Sequence, residues 1–147
     1  MIDDVYNSKL LEYAGNICRV GTLESPDATA KAHSKLCGST ISIDLKMDDD
    51  VVSDFAQIVK ACALGQSAAS IVASNIIGAK AQELRDTRSQ MIQMLKEEGE
   101  PPQGRFAELK YLQPVKDYKA RHASTLLVFD AIVDAIDQIE RQKEPAA

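Results

Sequence analysis

The spacing of apolar residues along this chain switches from helical to alternating and back again, and each switch marks an element. Residues 3–14 place Val5, Leu10, Leu11 and Tyr13 at helical intervals, which predicts a short amphipathic helix ending near Gly15 and Asn16. From 27 to 33, Ala28, Ala30 and Ala32 alternate with polar residues. From 40 to 47, Ile41, Ile43, Leu45 and Met47 alternate with Ser42, Asp44 and Lys46. A period of two predicts strands with one wet face. Asp48, Asp49 and Asp50 form a polar turn, and the β-branched and aromatic stretch 51–61 is expected to pair back as a hairpin, completing a three-stranded antiparallel meander.

After Cys62 the composition turns to Ala, Ser, Gly and Gln, and Ala69, Ile71, Val72, Ile76 and Ile77 trace a close-packed helix up to Gly78. A second helix is expected over about 79–97, carrying Leu84, Met91, Ile92 and Leu95, and it stops at Gly99-Glu100-Pro101-Pro102-Gln103-Gly104. A short helix over 106–112 precedes Gln113-Pro114-Val115-Lys116, and a long final helix over about 123–142 buries Leu126, Phe129, Ile132, Val133, Ile136 and Ile139. Strands first and helices afterwards predict an α+β fold, a small antiparallel sheet covered by helices with a long C-terminal helix.

A length of 147 residues with 45% apolar content suits one domain, 1–147, with a single core. The net charge of -5, with cations dispersed along the chain, argues against a nucleic-acid partner. No apolar run approaches the roughly 18 residues of a membrane span, and Met1-Ile2-Asp3-Asp4 lacks the basic and apolar regions of an export signal, so a soluble, cytoplasmic protein is expected. Cys18, Cys37 and Cys62 are then expected as reduced thiols. There is no glycine-rich phosphate loop, nucleophile elbow or HExxH, and Ser67 and Ser70 have no neighbouring base, so no catalytic residue is assigned and no enzyme is expected.

The remaining chemistry lies in Cys37, Cys62 and His122. Cys37 opens a strand, Cys62 sits between the last strand and a helix, and His122 begins the final helix, so helices packed on one sheet face can bring all three to one end. Thiolates and an imidazole suit a soft or borderline metal. A thiol at a helix N-terminus is favoured as thiolate, which would make Cys62 the more reactive one. Read from the residues alone, a second account stands beside this one, in which the cysteines are small buried hydrophobes and His122 is a cap. Cys18 reads as a half-buried structural thiol and His33 as part of a solvated strand face.

Beyond spacing, the wording of the chain resembles the NifU/IscU/SufU type of iron-sulfur cluster assembly scaffold. Tyr6 to Tyr13 followed by Asn16-Ile17-Cys18-Arg19-Val20-Gly21-Thr22-Leu23 is similar to the family's opening helix and its Asn-Pro-Arg-Asn-x-Gly-x-Leu segment. Cys37-Gly38-Ser39 is similar to its Cys-Gly-Asp, and Cys62 with the helix after it is similar to the second cysteine and its helix. Arg121-His122-Ala123-Ser124-Thr125-Leu126 resembles the segment that carries a third cysteine, at a separation from Cys62 like that of the longer SufU-like members. Ser39 stands in place of the usual aspartate, and Ala123 in the expected place of the third cysteine.

The resemblance implies a non-enzymatic scaffold or carrier, binding transient iron-sulfur cluster intermediates or zinc through Cys37, Cys62, His122 and Ser39 and accepting sulfur on Cys62. It implies a cysteine desulfurase as partner, with a chaperone and apo-protein acceptors beyond it. The alternative is a cluster-free sulfur-transfer protein or desulfurase activator, and a third reading is an interaction module that has lost the chemistry. Leu112-Gln113-Pro114-Val115-Lys116 resembles the Leu-Pro-Pro-Val-Lys chaperone segment of IscU-like members, with Gln113 in place of a proline, while its residues read first as a plain proline-punctuated loop.

Overall fold

The alternating segments form the strands of an antiparallel sheet in the order β1-β2-β3, with β1 spanning Ala28–His33, β2 Thr40–Asp48 and β3 Val51–Lys60. The computed structural model describes residues 7–35 and 38–143. The first part of the N-terminal helix read over 3–14 therefore lies outside the described residues, as do Leu36 and Cys37. The β2–β3 hairpin turns at Asp49, whose φ of 57° is the left-handed conformation that Asp tolerates better than most residues. Pairing puts Ile41, Ile43 and Leu45 on the inner face beside Ala32, Ala30 and Ala28 of β1. Ile41, Ile43 and Leu45 are buried to 3% exposure or less.

Helix α1 (Ser8–Gly15) is capped by Asn7, whose Oδ1 accepts the Leu10 N–H at 3.0 Å. Helix α2 (Ala63–Asn75) follows β3 directly, α3 (Ala81–Lys96) runs next, and α4 (His122–Lys143) closes the chain. Helix α4 lies across β1 and β2 while α2 packs against α1, α4 and β3, so the core sits between the inner sheet face and the helices. Because α2 is enclosed on nearly every side, its small residues are required by the packing rather than by one apolar stripe. Ser67 donates its hydroxyl towards the carbonyls of Leu10 and Ala63, both at 2.7 Å, which explains that serine by packing.

One segment differs from expectation. In place of a short helix over 106–112 and a loop after it, 3-10 turns run over Gly104–Asp117, kinked at Phe106 and continuing through Pro114. Phe106, Leu109, Leu112 and Val115 are buried at intervals of three, the period of a 3-10 helix, so one face of the segment seals the core. Leu112 and Val115 are fully buried, which leaves Gln113, Pro114 and Lys116 as the more accessible part of the chaperone-like segment. No helix among the described residues is long and apolar enough to cross a membrane.

Candidate functional site

At one end of the sheet, β3 hands the chain to α2 through Cys62, the N-cap residue of that helix. Its extended backbone (φ -66°, ψ 171°) is the usual N-cap conformation, and its side chain makes no capping hydrogen bond to α2. The sulfur turns instead to the final helix, with Sγ 3.3 Å from Ser124 Oγ. Ser124 Oγ lies in turn 3.0 Å from Ser39 Oγ, at the start of β2. Three side chains from separate segments thus form a chain of polar contacts, Cys62 to Ser124 to Ser39. Cys62 is half-buried, whereas Ser39 and Ser124 are buried.

Close packing fixes this arrangement. A Cβ on Gly65 would stand 2.8 Å from Ala61 Cβ, 3.0 Å from Ser124 Oγ and 3.1 Å from the Ser124 carbonyl oxygen. Only glycine lets the first turn of α2 approach α4 this closely. On the strand side, the turn before β2 is tied by the Ser34 N–H to the Ser39 carbonyl (2.8 Å) and the Gly38 N–H to the Ser34 carbonyl (2.9 Å). Gly38 takes a φ of 70°, which a side chain would strain. Cys37, an expected ligand, precedes Gly38 in sequence and lies outside the described residues.

His122 is 6% exposed and begins α4. Its Nε2 lies 3.0 Å from the Val115 carbonyl oxygen and 3.1 Å from that of Lys116. Carbonyl oxygens only accept, so Nε2 carries a proton. An imidazole whose one N–H is anchored on backbone is oriented as metal-ligating histidines are, with the other nitrogen free to bond. Among the described residues, no hydrogen bond joins His122 to Cys62, and no group of three or more His, Cys, Asp and Glu side chains is placed to hold a metal ion. The structure brings Cys62 and Ser39 together through Ser124.

Ser124 is the residue that sequence reading missed. The resemblance pointed to Ala123, which is exposed and lines a different feature, a cleft of about 460 Å³ walled by Lys96, Glu98, Lys116, Asp117, Lys119 and His122. Adjacent residues on a helix point about 100° apart, so Ala123 and Ser124 cannot serve one site equally. A signal for Ser124 was present, since Ser124, Val128, Ala131 and Ala135 recur on the helical period and all are buried. Such a run of small residues marks a face built for close approach.

Cys18 lies elsewhere. Its sulfur is 3.6 Å from Ser74 Oγ, near the far end of α2. A helix of 13 residues spans about 20 Å at 1.5 Å per residue, so Cys18 and Cys62 are well beyond disulfide reach. Both thiols are free. His33 is exposed on the outer sheet face.

Comparison with known proteins bears on this geometry. The family model of the NifU-like N-terminal domain matches residues 5–125. The chain is 25% identical over 137 residues to the iron-sulfur cluster assembly scaffold protein IscU of Thermotoga maritima, covering 93% of this chain and 96% of that protein. It is 24% identical over 138 residues to the protein of the same description from Streptococcus pyogenes serotype M1, covering 92% and 84%. The crystal structure of a nitrogen-fixing NifU-like protein (N-terminal) from Brucella abortus superposes with a TM-score of 0.95 at 62% identity, over 96% of this chain and 98% of that one.

Proposed function

Because the chain belongs to the NifU-like N-terminal domain family, we propose that it acts in iron-sulfur cluster assembly as a scaffold or carrier, taking sulfur on Cys62 and holding iron-sulfur intermediates as cargo. The observation that carries this reading is the placement of Cys62, half-buried at the N-cap of α2 with its sulfur against the hydroxyl of Ser124. Half-buried, the sulfur is open to a partner, and the Ser124 hydroxyl can donate a hydrogen bond to it as a thiolate. That is the form that attacks sulfur.

The proposed partner is a cysteine desulfurase that presents a cysteine persulfide. The Cys62 thiolate attacks the outer, sulfane sulfur. The partner's S–S bond breaks as a new S–S bond forms on Cys62, and the partner's cysteine leaves as a thiolate while the proton of the persulfide stays on the transferred sulfur. Electrons balance without an external oxidant. Metal would be held by Cys37 and Cys62 with Ser39 as an oxygen neighbour, and His122, whose ring lies about 200° round α4 from Ser124, would join through Nδ1 on a rearrangement of the first turn of that helix. Two thiolates and an imidazole suit iron or zinc, and they leave a tetrahedral ion with a position open to a small thiol, water or a partner residue. An open position is what a carrier needs in order to release its cargo.

The shortage of protein ligands favours one second reading, sulfur transfer without a cluster. Both are tested on chain isolated anaerobically, by elemental analysis and by peptide mass spectrometry after incubation with a cysteine desulfurase and cysteine. Stoichiometric iron or zinc together with persulfide on Cys62 is the expected result. Persulfide on a metal-free chain would favour sulfur transfer alone, and neither metal nor persulfide would overturn the assignment.

A further inference from the structure

The outer face of the sheet is divided into two halves. Pairing sets three cross-strand rows on it: Thr29, Asp44 and Ala56; Lys31, Ser42 and Ile58; His33, Thr40 and Lys60. The first row is covered at Asp44 and Ala56, which are both buried, Asp44 accepting the Leu23 N–H at 2.9 Å and the Thr29 hydroxyl at 2.7 Å. The other two rows are open. They border a shallow depression of about 390 Å³ with Ile58, 41% exposed, on its floor.

Every ionisable side chain of the open rows is a base. Lys31, His33 and Lys60 are exposed, and among the described residues none of them forms an ion pair. No carboxylate lines the depression, in a chain whose net charge is -5. This basic, apolar-centred face also adjoins the proposed sulfur site by direct chain connection. His33 and Thr40 flank, in sequence, the segment that carries Cys37 and Ser39, and Lys60 precedes Cys62 by two residues.

We propose that the open half of the sheet is the docking surface for the protein that delivers sulfur to Cys62, and that this partner meets it with an acidic patch around an apolar side chain. The inference rests on the functional reading above. Charge complementarity chooses the occupant, since a two-fold pairing of this face with its own copy would set Lys31, His33 and Lys60 against the same bases, while an acidic partner gains at Lys31 and Lys60 and covers Ile58. Exposed charges of this kind steer encounter and set affinity for the partner, and they leave the chemistry at Cys62 unchanged.

The test compares the wild-type chain with Lys31→Glu/Lys60→Glu, both residues being exposed and remote from the core. Transfer of persulfide from a purified cysteine desulfurase to Cys62 is measured against scaffold concentration at 50 and 300 mM salt. The charge-reversed variant is expected to raise KM about tenfold at low salt, with kcat within about twofold, and wild-type KM is expected to rise with salt while the variant's does not. An Ile58→Asp variant is expected to raise KM at both salt concentrations. Equal KM and equal salt dependence for wild type and charge-reversed variant would overturn the docking surface alone. No persulfide on wild-type Cys62 would overturn the functional reading and the docking surface with it. A concentration-dependent dimer, seen by sedimentation and abolished by the same charge reversal, would reassign the face to self-association and overturn the proposal.

Discussion

If Ser124 rather than Ala123 is the residue of α4 that faces the site, then Ser124→Cys completes a thiolate set and Ala123→Cys does not. Ser124 Oγ lies 3.3 Å from Cys62 Sγ, whereas two thiolates on one tetrahedral zinc, each bonded at about 2.3 Å, stand about 3.8 Å apart. The difference is about half an ångström, within what small side-chain rotations supply. Structural zinc sites of four ligands bind with about 10–16 kcal/mol, so one added thiolate is worth about 2.5–4 kcal/mol in good geometry. If strain and the lost Ser39 contact take half of that, more than about 1.2 kcal/mol remains, which is close to tenfold in affinity. Competition with a chromogenic zinc chelator, run anaerobically with reductant to prevent a bond between residues 62 and 124, should therefore show zinc held about tenfold or more tightly by Ser124→Cys. Ala123→Cys, exposed over the lysine-walled cleft, should change retention by less than about threefold. Equal or greater tightening by Ala123→Cys, or none by a folded Ser124→Cys, would refute the assignment.

Two further predictions concern the packing that holds the site. Gly65→Ala should lower stability by about 1–3 kcal/mol, read as a fall in urea midpoint at unchanged slope, because the added Cβ meets the Ser124 backbone oxygen at 3.1 Å as well as a side chain at 2.8 Å. A loss below about 0.5 kcal/mol would mean that α2 and α4 separate without cost. On the outer surface, hydrogen bonds from Arg85 to Glu140 (2.8 and 3.1 Å) hold the Glu140 carboxyl below its ordinary value of 4.5. A carboxyl depressed in the folded state adds stability above its unfolded value, and that stability is lost as pH falls through the lower, folded value. Glu140 is 52% exposed, so Glu140→Gln should cost no more than about 1 kcal/mol at pH 6, and the difference from wild type should shrink as pH falls below the ordinary value of 4.5. A difference that grows on acidification would contradict the sign.

What the sequence made legible follows from period. Strict alternation over Ile41 to Met47 fixed both the strand and its inner face, because side chains on a strand have only two directions. The segment after Gly104 departs from the expected short helix and loop because its buried residues, Phe106, Leu109, Leu112 and Val115, recur every three positions and carry the 3-10 turns on through Pro114. Helix α2 was located by composition, yet its burial on almost every side hid which residues face the site. The placement of Cys62 at a helix N-cap was readable from the change in composition. Its partner Ser124 was not, because the family wording directs attention one residue earlier and only the close approach at Gly65 decides which side chain turns inward. The anchoring of His122 on the carbonyls of Val115 and Lys116 depends on the path of the 3-10 segment, so no local pattern could announce it.

The central claim is that Cys62 is where sulfur arrives and a cluster is built. Its most direct test is anaerobic assembly on the full chain with ferrous iron, cysteine and a catalytic amount of cysteine desulfurase, followed by absorption and Mössbauer spectra and by transfer to an apo-ferredoxin. The account predicts a transferable cluster on the wild-type chain, an undiminished one on Cys18→Ser, whose sulfur sits by Ser74 near the far end of α2, and none on Cys62→Ser. A cluster formed equally well by Cys62→Ser, or none on the wild-type chain with an active desulfurase present, would contradict it.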